Sequence, residues 1–442
     1  MNVQVAPDLS TSVSNLAQDL LDARQRELEV LSGLTDEQMY GSKMRIIEPP
    51  IWEMGHVGWF QERWILRNLY GEAPLWSNAD TLYDSFNIPN AERWDLAFPS
   101  YQETLDYITA ILQRCLKRIT EQELTDEAAY FYRIVTNHED MHGETMVHIR
   151  QTLGYPAPPI ANTRLMPPPI DYDFEPHDVA IPGGTFMLGA TQDMPFVLDN
   201  EKWAHPVELA PFHISAMPVT IAQYQAFVEA GGYQAREYWS AEGWEWRRKA
   251  GAEQPMYWHR EVDGSWQRRV FDQYCPLDPF LPMMNVNFYE ANAYCAWAGR
   301  RLPTEAEWEA AAAAEPGSNG RSFTQVKRLY PWGNESPSPE RANLDSAALG
   351  LVDVRALPKG DSAFGCRQML GNVWEWTADT FDAYPGFEID PYETYSAPSF
   401  GQQKVLRGGC WVTRSRVIRN TWRNFYTPDR NNIFAGFRTC AT

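Results

Sequence analysis

The sequence contains no apolar run that approaches the roughly 18 residues needed to cross a bilayer, so we expect no membrane partner. Its first residues, MNVQVAPDLSTSVSNL, lack the basic segment followed by an apolar segment that marks a secretion signal. Cysteine is scarce, with six residues and no CxxC pair, which excludes a disulfide framework and a thiolate zinc site. These absences predict a protein of the reducing cytoplasm.

Basic residues are also few relative to acidic ones. The 38 Lys and Arg residues face 58 Asp and Glu residues, for a formal net charge of -20. A surface of that sign repels nucleic acid and anionic membranes, so neither is expected as a partner. The 442 residues are too many for one typical hydrophobic core and suggest two or three domains. We expect a monomer or a small homo-oligomer.

Residues 1–153 are predicted to form a helical domain. Four segments read as helices with apolar residues at helical spacing: residues 16–34, 48–71, 100–119 and 126–154. The second segment opens with two prolines, which suit a first helical turn, and the fourth stops at a glycine. Four helices of this length suggest an antiparallel four-helix bundle, in which metal and ligand sites lie in the core.

The character of the chain changes after residue 153. Residues 154–178 carry seven prolines and little periodicity, which predicts an extended linker. In residues 179–442, short apolar runs alternate with Gly, Pro and Asn, and few helices are expected. This pattern predicts an irregular α+β domain.

The segment NHEDMHGET contains the His-Glu-x-x-His spacing that zinc proteases use. His138 and His142 would lie on one helix face, where neutral imidazoles suit zinc, iron or copper. A zinc hydrolase would use Glu139 as general base and would need a third ligand downstream. No suitable helix follows, and His148 lies about 120° off the metal face, so we assign it to the surface or to packing.

A third histidine, His56, lies in the second helix among the apolar residues of IWEMGHVGWF. Burying its ring without a partner would cost about 1–3 kcal/mol, so a partner is expected. In an antiparallel bundle the middle of the second helix can face the HxxxH of the fourth. Three imidazoles would then occupy one face of an octahedral metal ion and leave positions open for substrate and O2. This arrangement is favoured over a zinc protease, which stays as an alternative.

Nearly the whole chain resembles a known two-domain architecture. The N-terminal part resembles a DinB-type four-helix bundle. The C-terminal part resembles the formylglycine-generating-enzyme, or sulfatase-modifying-factor, fold, which is related to C-type lectins. The motifs that carry the second resemblance are IPGGTFMLGA, PVTIAQYQAFVEAGGY, NVNFYEANAYCAWAGRRLPTEAEWEAAA, YPWGN, MLGNVWEWTADTF, KVLRGGCW and NIFAGFRTC. The fold class implied is multidomain, with an α domain followed by an α+β domain.

The combination resembles the non-haem iron synthases that attach sulfur or selenium to the imidazole C2 of hercynine, which is Nα-trimethylhistidine. In that family one bundle histidine and an HxxxHxE motif hold the iron, and the matching ligands here are His56, His138 and His142. Glu144, the acid of the motif, would orient a ligand through a hydrogen bond or be a solvated helix acid. The resemblance thus implies Fe(II) as cofactor, with hercynine, O2 and a selenosugar or thiol donor as substrates. The C-terminal domain would form the substrate pocket.

Three departures from the family pattern bear on the substrates. In NFYTPDR, Asn424 and Arg430 match the enzymes that use γ-glutamylcysteine, but Tyr426 replaces the acid that grips the donor. The loss of that charge-assisted bond would cost on the order of 1.5–3 kcal/mol. Phe381 stands where the family has a proton-donating tyrosine, and Met141 replaces a glutamine that helps seat hercynine.

These departures resemble most the selenoneine branch of the family, whose members join hercynine to a selenosugar. A neutral sugar needs hydroxyl and aromatic partners, which Phe425 and Tyr426 can supply. A sulfur-using ergothioneine sulfoxide synthase, with cysteine or γ-glutamylcysteine as donor, is the alternative, and a non-catalytic binding module of the same fold also stays open. Thr413 and Ile418 stand where formylglycine generators carry two active-site cysteines, so conversion of a sulfatase cysteine is not expected.

Further residues of the C-terminal part and of the bundle have two interpretations each. Phe425 would flank the trimethylammonium through a cation–π contact or pack in the C-terminal part. Arg430 would bind a substrate carboxylate or tie down its own loop. Arg93 is a weaker carboxylate ligand, and a surface position is favoured for it. Asn200 and Glu201 are considered as ligands of a structural Ca2+ without being assigned to it.

Overall fold

The computed structural model describes residues 12–169, 175–194, 196–320 and 322–442. The chain divides into two compact units. The helical unit holds the described residues up to 161 together with residues 270–273, and the mixed unit holds the others. None of the helices in the described ranges has both the length and the apolar character that a bilayer crossing requires.

Four long helices dominate the helical unit. They are α1 Val13–Leu31, α3 Pro50–Gln61, α6 Tyr101–Glu121 and α7 Asp126–Leu153. Helix α3 continues into a π-helical segment, Glu62–Leu69. The short helices are α2 Asp36–Tyr40, α4 Ala79–Tyr83 and α5 Asn90–Arg93. The prediction of a helical N-terminal domain is confirmed, whereas the short helices are too brief to produce a periodic pattern.

Local sequence explains where the long helices begin and end. Ser12, Ser100 and Thr125 each accept a hydrogen bond from a backbone N–H of the first turn, as N-cap residues do. Helix α7 stops at Gly154, whose φ of 68° lies in the left-handed region that glycine adopts without strain. Helix α1 packs chiefly on α7, and α3 packs on α6 and α7.

Two glycines allow α3 to approach its neighbours closely. A Cβ atom at Gly55 would overlap the ring of Tyr83, and one at Gly58 would overlap the side chain of Ile108 in α6. The contact of Gly55 with Tyr83 places the end of α4 beside the middle of α3. This matters for the site, because His56 lies between the two glycines.

Among its described residues, the mixed unit contains four helices and short 3-10 turns among fifteen strands. The helices are α8 Ile221–Glu229, α9 Ala241–Ala250, α10 Phe288–Trp297 and α11 Glu305–Ala313. The 3-10 turns are Asp199–Glu201, Arg236–Tyr238, Pro358–Gly360 and Ala397–Ser399. Residues 155–169 and 175–177, within the predicted linker, form neither helix nor strand.

The strands are short and form five small sheets. Two sheets have four strands, in the orders β1-β4-β15-β8 and β13-β12-β11-β14. The others are β5-β6-β7, β2-β3 and β10-β9. The strands are β1 Asp178–Ile181, β2 Gly184–Leu188, β3 His205–Leu209, β4 Phe212–Ser215, β5 Trp258–Arg260, β6 Trp266–Val270, β7 Gln273–Pro276, β8 Arg300–Arg301, β9 Ala314–Pro316, β10 Phe323–Lys327, β11 Trp374–Thr380, β12 Lys404–Arg407, β13 Arg423–Tyr426, β14 Ala435–Gly436 and β15 Cys440–Ala441. The prediction of an irregular α+β domain is confirmed.

Buried ion pairs hold the sheet β13-β12-β11-β14 to helix α11. Glu305 at the start of α11 accepts hydrogen bonds from Arg407 of β12 at 2.9 Å and from Arg423 of β13 at 2.7 Å. Removing one partner of such a pair would leave an uncompensated buried charge, which is strongly destabilising. These contacts fix the strand on which the predicted substrate residues lie. All six cysteines are free thiols, five of them buried.

Candidate metal centre

Three histidines converge in the core of the helical unit. Each of His56, His138 and His142 offers a ring nitrogen, and these atoms lie within 4.8 Å of one another. His56 comes from α3, and the other two lie one turn apart on the same face of α7. The rings of His56 and His138 are only 1% and 3% exposed, while the side chain of His142 is 22% exposed. The structure therefore brings the three predicted metal ligands together, with one side of the cluster open.

Two of the rings are oriented through their Nδ1 atoms. The Nδ1–H of His56 donates to the backbone carbonyl of Tyr83 at 2.7 Å. The Nδ1–H of His142 donates to Oε2 of Glu53 at 2.5 Å, and Glu53 is itself only 1% exposed. A histidine whose Nδ1 is held in this way presents the lone pair of Nε2 to a metal.

The buried rings are neutral at physiological pH. Burial lowers the pKa of His56 and of His138 well below the ordinary value of 6.5, and the neighbouring His142 adds to this effect. A neutral imidazole is the form that binds a metal ion. The two buried rings are therefore in the form that can bind a divalent metal ion.

Aromatic side chains enclose the cluster. Trp52 stacks on His56 with 4.6 Å between ring centroids, and Phe60 stacks on His138 at 3.6 Å. Each of these rings lies one turn before or after His56 on α3, which explains why the helix is apolar around a histidine. The stacking restricts ring rotation and keeps water from one side of the cluster.

Arg93 is not at the surface, as the sequence had suggested, but is only 6% exposed. Its guanidinium stacks over the ring of Trp52 at 4.0 Å. Its nitrogens donate to the carbonyl oxygens of Ile88 and Ser85 and to the carboxylate of Glu48, at 3.0 to 3.1 Å. The planar fork of arginine satisfies several fixed acceptors at once, which is why it can be buried here. Its role as a substrate ligand stays a prediction.

Glu139, the glutamate of the HExxH segment, is bonded to side chains of two other helices. Its Oε1 accepts a hydrogen bond from Nε of Arg24 at 2.6 Å, and its Oε2 accepts one from Gln61. The side chain is 1% exposed. Since both oxygens are engaged, Glu139 cannot serve as the general base that the zinc protease interpretation requires.

The acid of the HxxxHxE motif, Glu144, is 7% exposed and is therefore not a solvated helix acid. Its Oε1 lies 3.8 Å from Nε2 of His148, which is buried at 2% exposure, so His148 is a packing residue and not a surface one. Met141 is half-buried next to His142. Glu53 went unpredicted, although its position three residues before His56 on one helix face was a usable signal.

The predicted substrate residues of the mixed unit lie on β13 and beside it. Phe381, directly after β11, is fully buried and stacks on Phe425 with 4.0 Å between centroids. The guanidinium of Arg430 lies 5.3 Å from the ring centroid of Tyr426. Oδ1 of Asn424 accepts a hydrogen bond from the backbone N–H of Phe425 at 2.8 Å. The structure thus groups these five residues, while their role as substrate ligands stays a prediction.

The suggested Ca2+ site receives no support. The carboxylate of Glu201 accepts hydrogen bonds from Arg419 at 2.8 Å and from Thr421 at 2.7 Å, so its charge is already neutralised. Asn200 donates through its side chain to Ser396 at 3.0 Å. An ion pair between Arg419 and Glu201 therefore holds this region.

Comparisons with known proteins cover both units. The family model of the sulfatase-modifying factor enzyme 1-like domain matches residues 168–442, and that of the DinB superfamily matches residues 19–146. A hercynine oxygenase of Mycolicibacterium smegmatis is 36% identical over 96% of this chain and 97% of its own length. A hercynine oxygenase of Mycolicibacterium thermoresistibile is 37% identical over 96% of this chain and 94% of its own. Among solved structures, PvdO from Pseudomonas aeruginosa aligns with a TM-score of 0.41 and 25% identity, over 60% of this chain and 93% of its own.

The two full-length relatives decide the family, because they span both the histidine-bearing unit and the mixed unit at well over 30% identity. The resemblance to hercynine-dependent enzymes is confirmed. The chain belongs to the family of the hercynine oxygenases, in which it combines a DinB-type domain with a sulfatase-modifying-factor domain.

Proposed function

We propose that this protein is an O2-dependent non-haem Fe(II) enzyme that joins selenium from a selenosugar to the imidazole C2 of hercynine. The observation that carries the proposal is the convergence of His56, His138 and His142 within 4.8 Å in a chain 36% identical to a hercynine oxygenase. The histidines support the metal, and the name of the relatives supports hercynine and oxygen.

The donor set fits ferrous iron. Three imidazole nitrogens would fill half of an octahedral coordination sphere, so positions would remain for substrates. When bound, Fe(II) would supply the activation of O2. The protein's own contribution is orientation: Tyr83 and Glu53 fix two of the rings through Nδ1, and Trp52 and Phe60 shield the cluster.

The proposed reaction consumes one O2 per turnover. The Se–H bond of the donor and the C2–H bond of hercynine break, and a C–Se bond forms. One oxygen atom stays on selenium as a selenoxide, and the other leaves as water with the two hydrogens. Phe381 has no hydroxyl and is fully buried, so it carries none of these protons.

The selenium donor is supported by the chemistry around Tyr426. A carboxylate at this position would hold the ammonium of γ-glutamylcysteine, and Tyr426 offers a ring and a hydroxyl in its place. The half-buried ring of Phe425, which stacks on the buried ring of Phe381, adds an apolar face that suits the C–H surface of a sugar. A sulfur-using ergothioneine sulfoxide synthase is the second candidate, favoured by the retained Asn424 and Arg430.

The test is anaerobic reconstitution with Fe(II), followed by hercynine, O2 and one donor at a time, with the product identified by mass spectrometry. We expect a C–Se product with the selenosugar and little product with cysteine or γ-glutamylcysteine. The His138→Ala variant should lose iron and turnover together. Turnover with γ-glutamylcysteine alone would replace the selenium assignment by the sulfur-using one. Zinc in place of iron, or no metal and no O2 uptake, would overturn the iron enzyme itself.

A further inference from the structure

Behind the histidine cluster, the helical unit buries a second group of polar side chains. Arg24 of α1 is 3% exposed, and its three guanidinium nitrogens reach three other helices. Nε donates to Glu139 of α7 at 2.6 Å, and the two terminal nitrogens donate to the carbonyl of Ile108 in α6 at 3.0 Å and to Gln61 of α3 at 3.1 Å. We call Arg24, Glu139 and Gln61 the Arg24 clamp.

The Arg24 clamp connects α3 and α7, the two helices that carry the candidate ligands, at positions close to those ligands. Glu139 directly follows His138 in α7, and Gln61 is the last residue of α3, five positions after His56. Gln61 also donates to Glu139, so the clamp closes into a ring of contacts. Each member is at most 3% exposed, where hydrogen bonds to charged groups are worth more than in water.

Glu27 lies beside the Arg24 clamp and brings a second carboxyl group to Arg24. Oε2 of Glu27 lies 2.9 Å from Nε of Arg24, so one guanidinium faces two buried carboxyl groups. Burial raises the pKa of Glu27 well above its ordinary value, with Arg24 opposing this and Glu139 adding to it. Glu139 also accepts a hydrogen bond from Gln61, so Glu139 and not Glu27 joins Arg24 to the helix that carries His56.

We infer that Arg24 is a positioning residue of the metal centre, which acts through Glu139 and Gln61 to hold His138 and His56 at ligating distance. The inference rests on the proposed metal role of the histidines. None of the hydrogen bonds described for Arg24 goes to a histidine. Its effect should therefore appear in metal binding, which can be measured without turnover.

The test compares Co(II) binding and thermal unfolding of Arg24→Lys with those of Arg150→Lys. Arg150 is a matched control, because it is also fully buried in the helical unit and donates to the carbonyls of Val30 and Ser32 at 2.6 and 2.9 Å. Both lysine variants keep the charge and lose the fork, so both should lower the melting temperature. Only Arg24→Lys should raise the Kd for Co(II), by about tenfold, and change the visible Co(II) spectrum.

Two further variants keep the test decisive. If Arg24→Lys does not fold, the double variant Arg24→Met, Glu139→Gln replaces it. This double variant removes both charges and leaves an amide that can still bond to Gln61. It should also weaken Co(II) binding. Glu27→Gln should leave the Co(II) affinity unchanged. Equal Co(II) affinity and spectra in wild type and both Arg24 variants would overturn the inference while leaving the proposed function intact. A wild-type protein that fails to bind Co(II) would overturn both.

Discussion

At the scale of single residues, Glu53 has the most direct influence on the candidate metal centre. Its carboxylate is the acceptor for Nδ1 of His142. We predict that Glu53→Gln weakens Co(II) or Fe(II) binding by about 10- to 100-fold, because the amide orients the ring less strongly and no longer raises its basicity. Metal titration followed by absorbance measures this change.

A matched control is available on the adjoining π segment. Glu62 is also fully buried, but its oxygens accept from Tyr107 at 3.0 Å and from the backbone of Leu75 at 2.6 Å. Glu62→Gln should therefore leave metal affinity unchanged. Glu144→Gln tests the motif acid in the same titration. A loss in Glu144→Gln without a loss in Glu53→Gln would assign the orienting role to Glu144 instead.

Tyr426 is the residue at which the choice of donor can be tested. We predict that Tyr426→Asp lowers the KM for γ-glutamylcysteine by roughly tenfold to hundredfold, since a charge-assisted bond contributes about 1.5–3 kcal/mol. Tyr426→Asn is the control, because it has the same size as the aspartate without its charge. Identical KM values for the two variants would show that this position does not contact the donor ammonium.

At the scale of elements, the close packing of α3 accounts for a helix that contains two glycines. We predict that Gly58→Ala destabilises the helical unit by about 1–2 kcal/mol, because overlap with Ile108 outweighs the gain in helix propensity. Gly143 is the matched control in α7, where an added Cβ meets nothing within 4 Å. Gly143→Ala should stabilise the unit by up to about 1 kcal/mol in chemical denaturation. The same sign for both variants would refute the packing argument.

Helix α10 should respond to pH through its first turn. Burial raises the pKa of Glu290 to about 7, although Tyr233 and the backbone of Asn287 donate to its oxygens at 2.5 and 2.8 Å. A raised carboxyl pKa means that the folded state holds a proton that the unfolded state releases. The stability it contributes is therefore present below pH 4.5 and is lost as pH rises through about 7, by about 3 kcal/mol.

The measurement is the free energy of unfolding between pH 4.5 and 8 for wild type and Glu290→Gln. The variant should lack this part of the pH dependence. Glu307→Gln is the control of opposite sign: burial acts to raise the pKa of Glu307, but hydrogen bonds from Arg301 and Thr304 hold it below the ordinary value. The stability that Glu307 contributes is lost as pH falls through this lowered pKa. An unchanged profile in Glu290→Gln would contradict the assignment.

The elements that sequence predicts well are those with a repeating local cause. The four long helices have apolar periodicity and capping residues, so their bounds agree with the predicted segments to within a few residues at most ends. The π segment after Gln61 and the short helices have no such signal. The prediction that Arg93 lies at the surface was wrong for a related reason. Its burial depends on carbonyls and a carboxylate from separate loops, which no local pattern reveals.

The residues of the candidate site also fall into two groups, those that the sequence predicts and those that only the structure reveals. The HxxxH spacing and one histidine in an apolar helix were sufficient to propose three ligands, because each is an anomaly in its own segment. Tyr83 and Arg24 became apparent only from the structure, since their function depends on which helices pack together. Tyr83 acts through a backbone carbonyl, so its residue type carries no signal at all.

At the scale of the whole molecule, the candidate ligands all belong to one of the two compact units. We predict that Co(II) or Fe(II) slows amide exchange in α3 and α7 and leaves the sheet β13-β12-β11-β14 unchanged. At a free metal concentration 100 times the Kd, the metal-bound unit should gain about 3 kcal/mol. Hydrogen exchange with mass spectrometry measures this effect, with His138→Ala as control. Equal protection of that sheet would contradict the assignment of metal binding to the helical unit.

The six unpaired thiols also bear on how the proposed chemistry can be studied. Selenols survive in air only when a strong reductant is present, and many folds cannot tolerate such conditions because they depend on sulfur–sulfur crosslinks. This one has no such crosslink to break. Dithiothreitol can therefore be present throughout an assay to keep the selenol reduced, and a parallel reaction without hercynine measures the O2 that the reductant itself consumes.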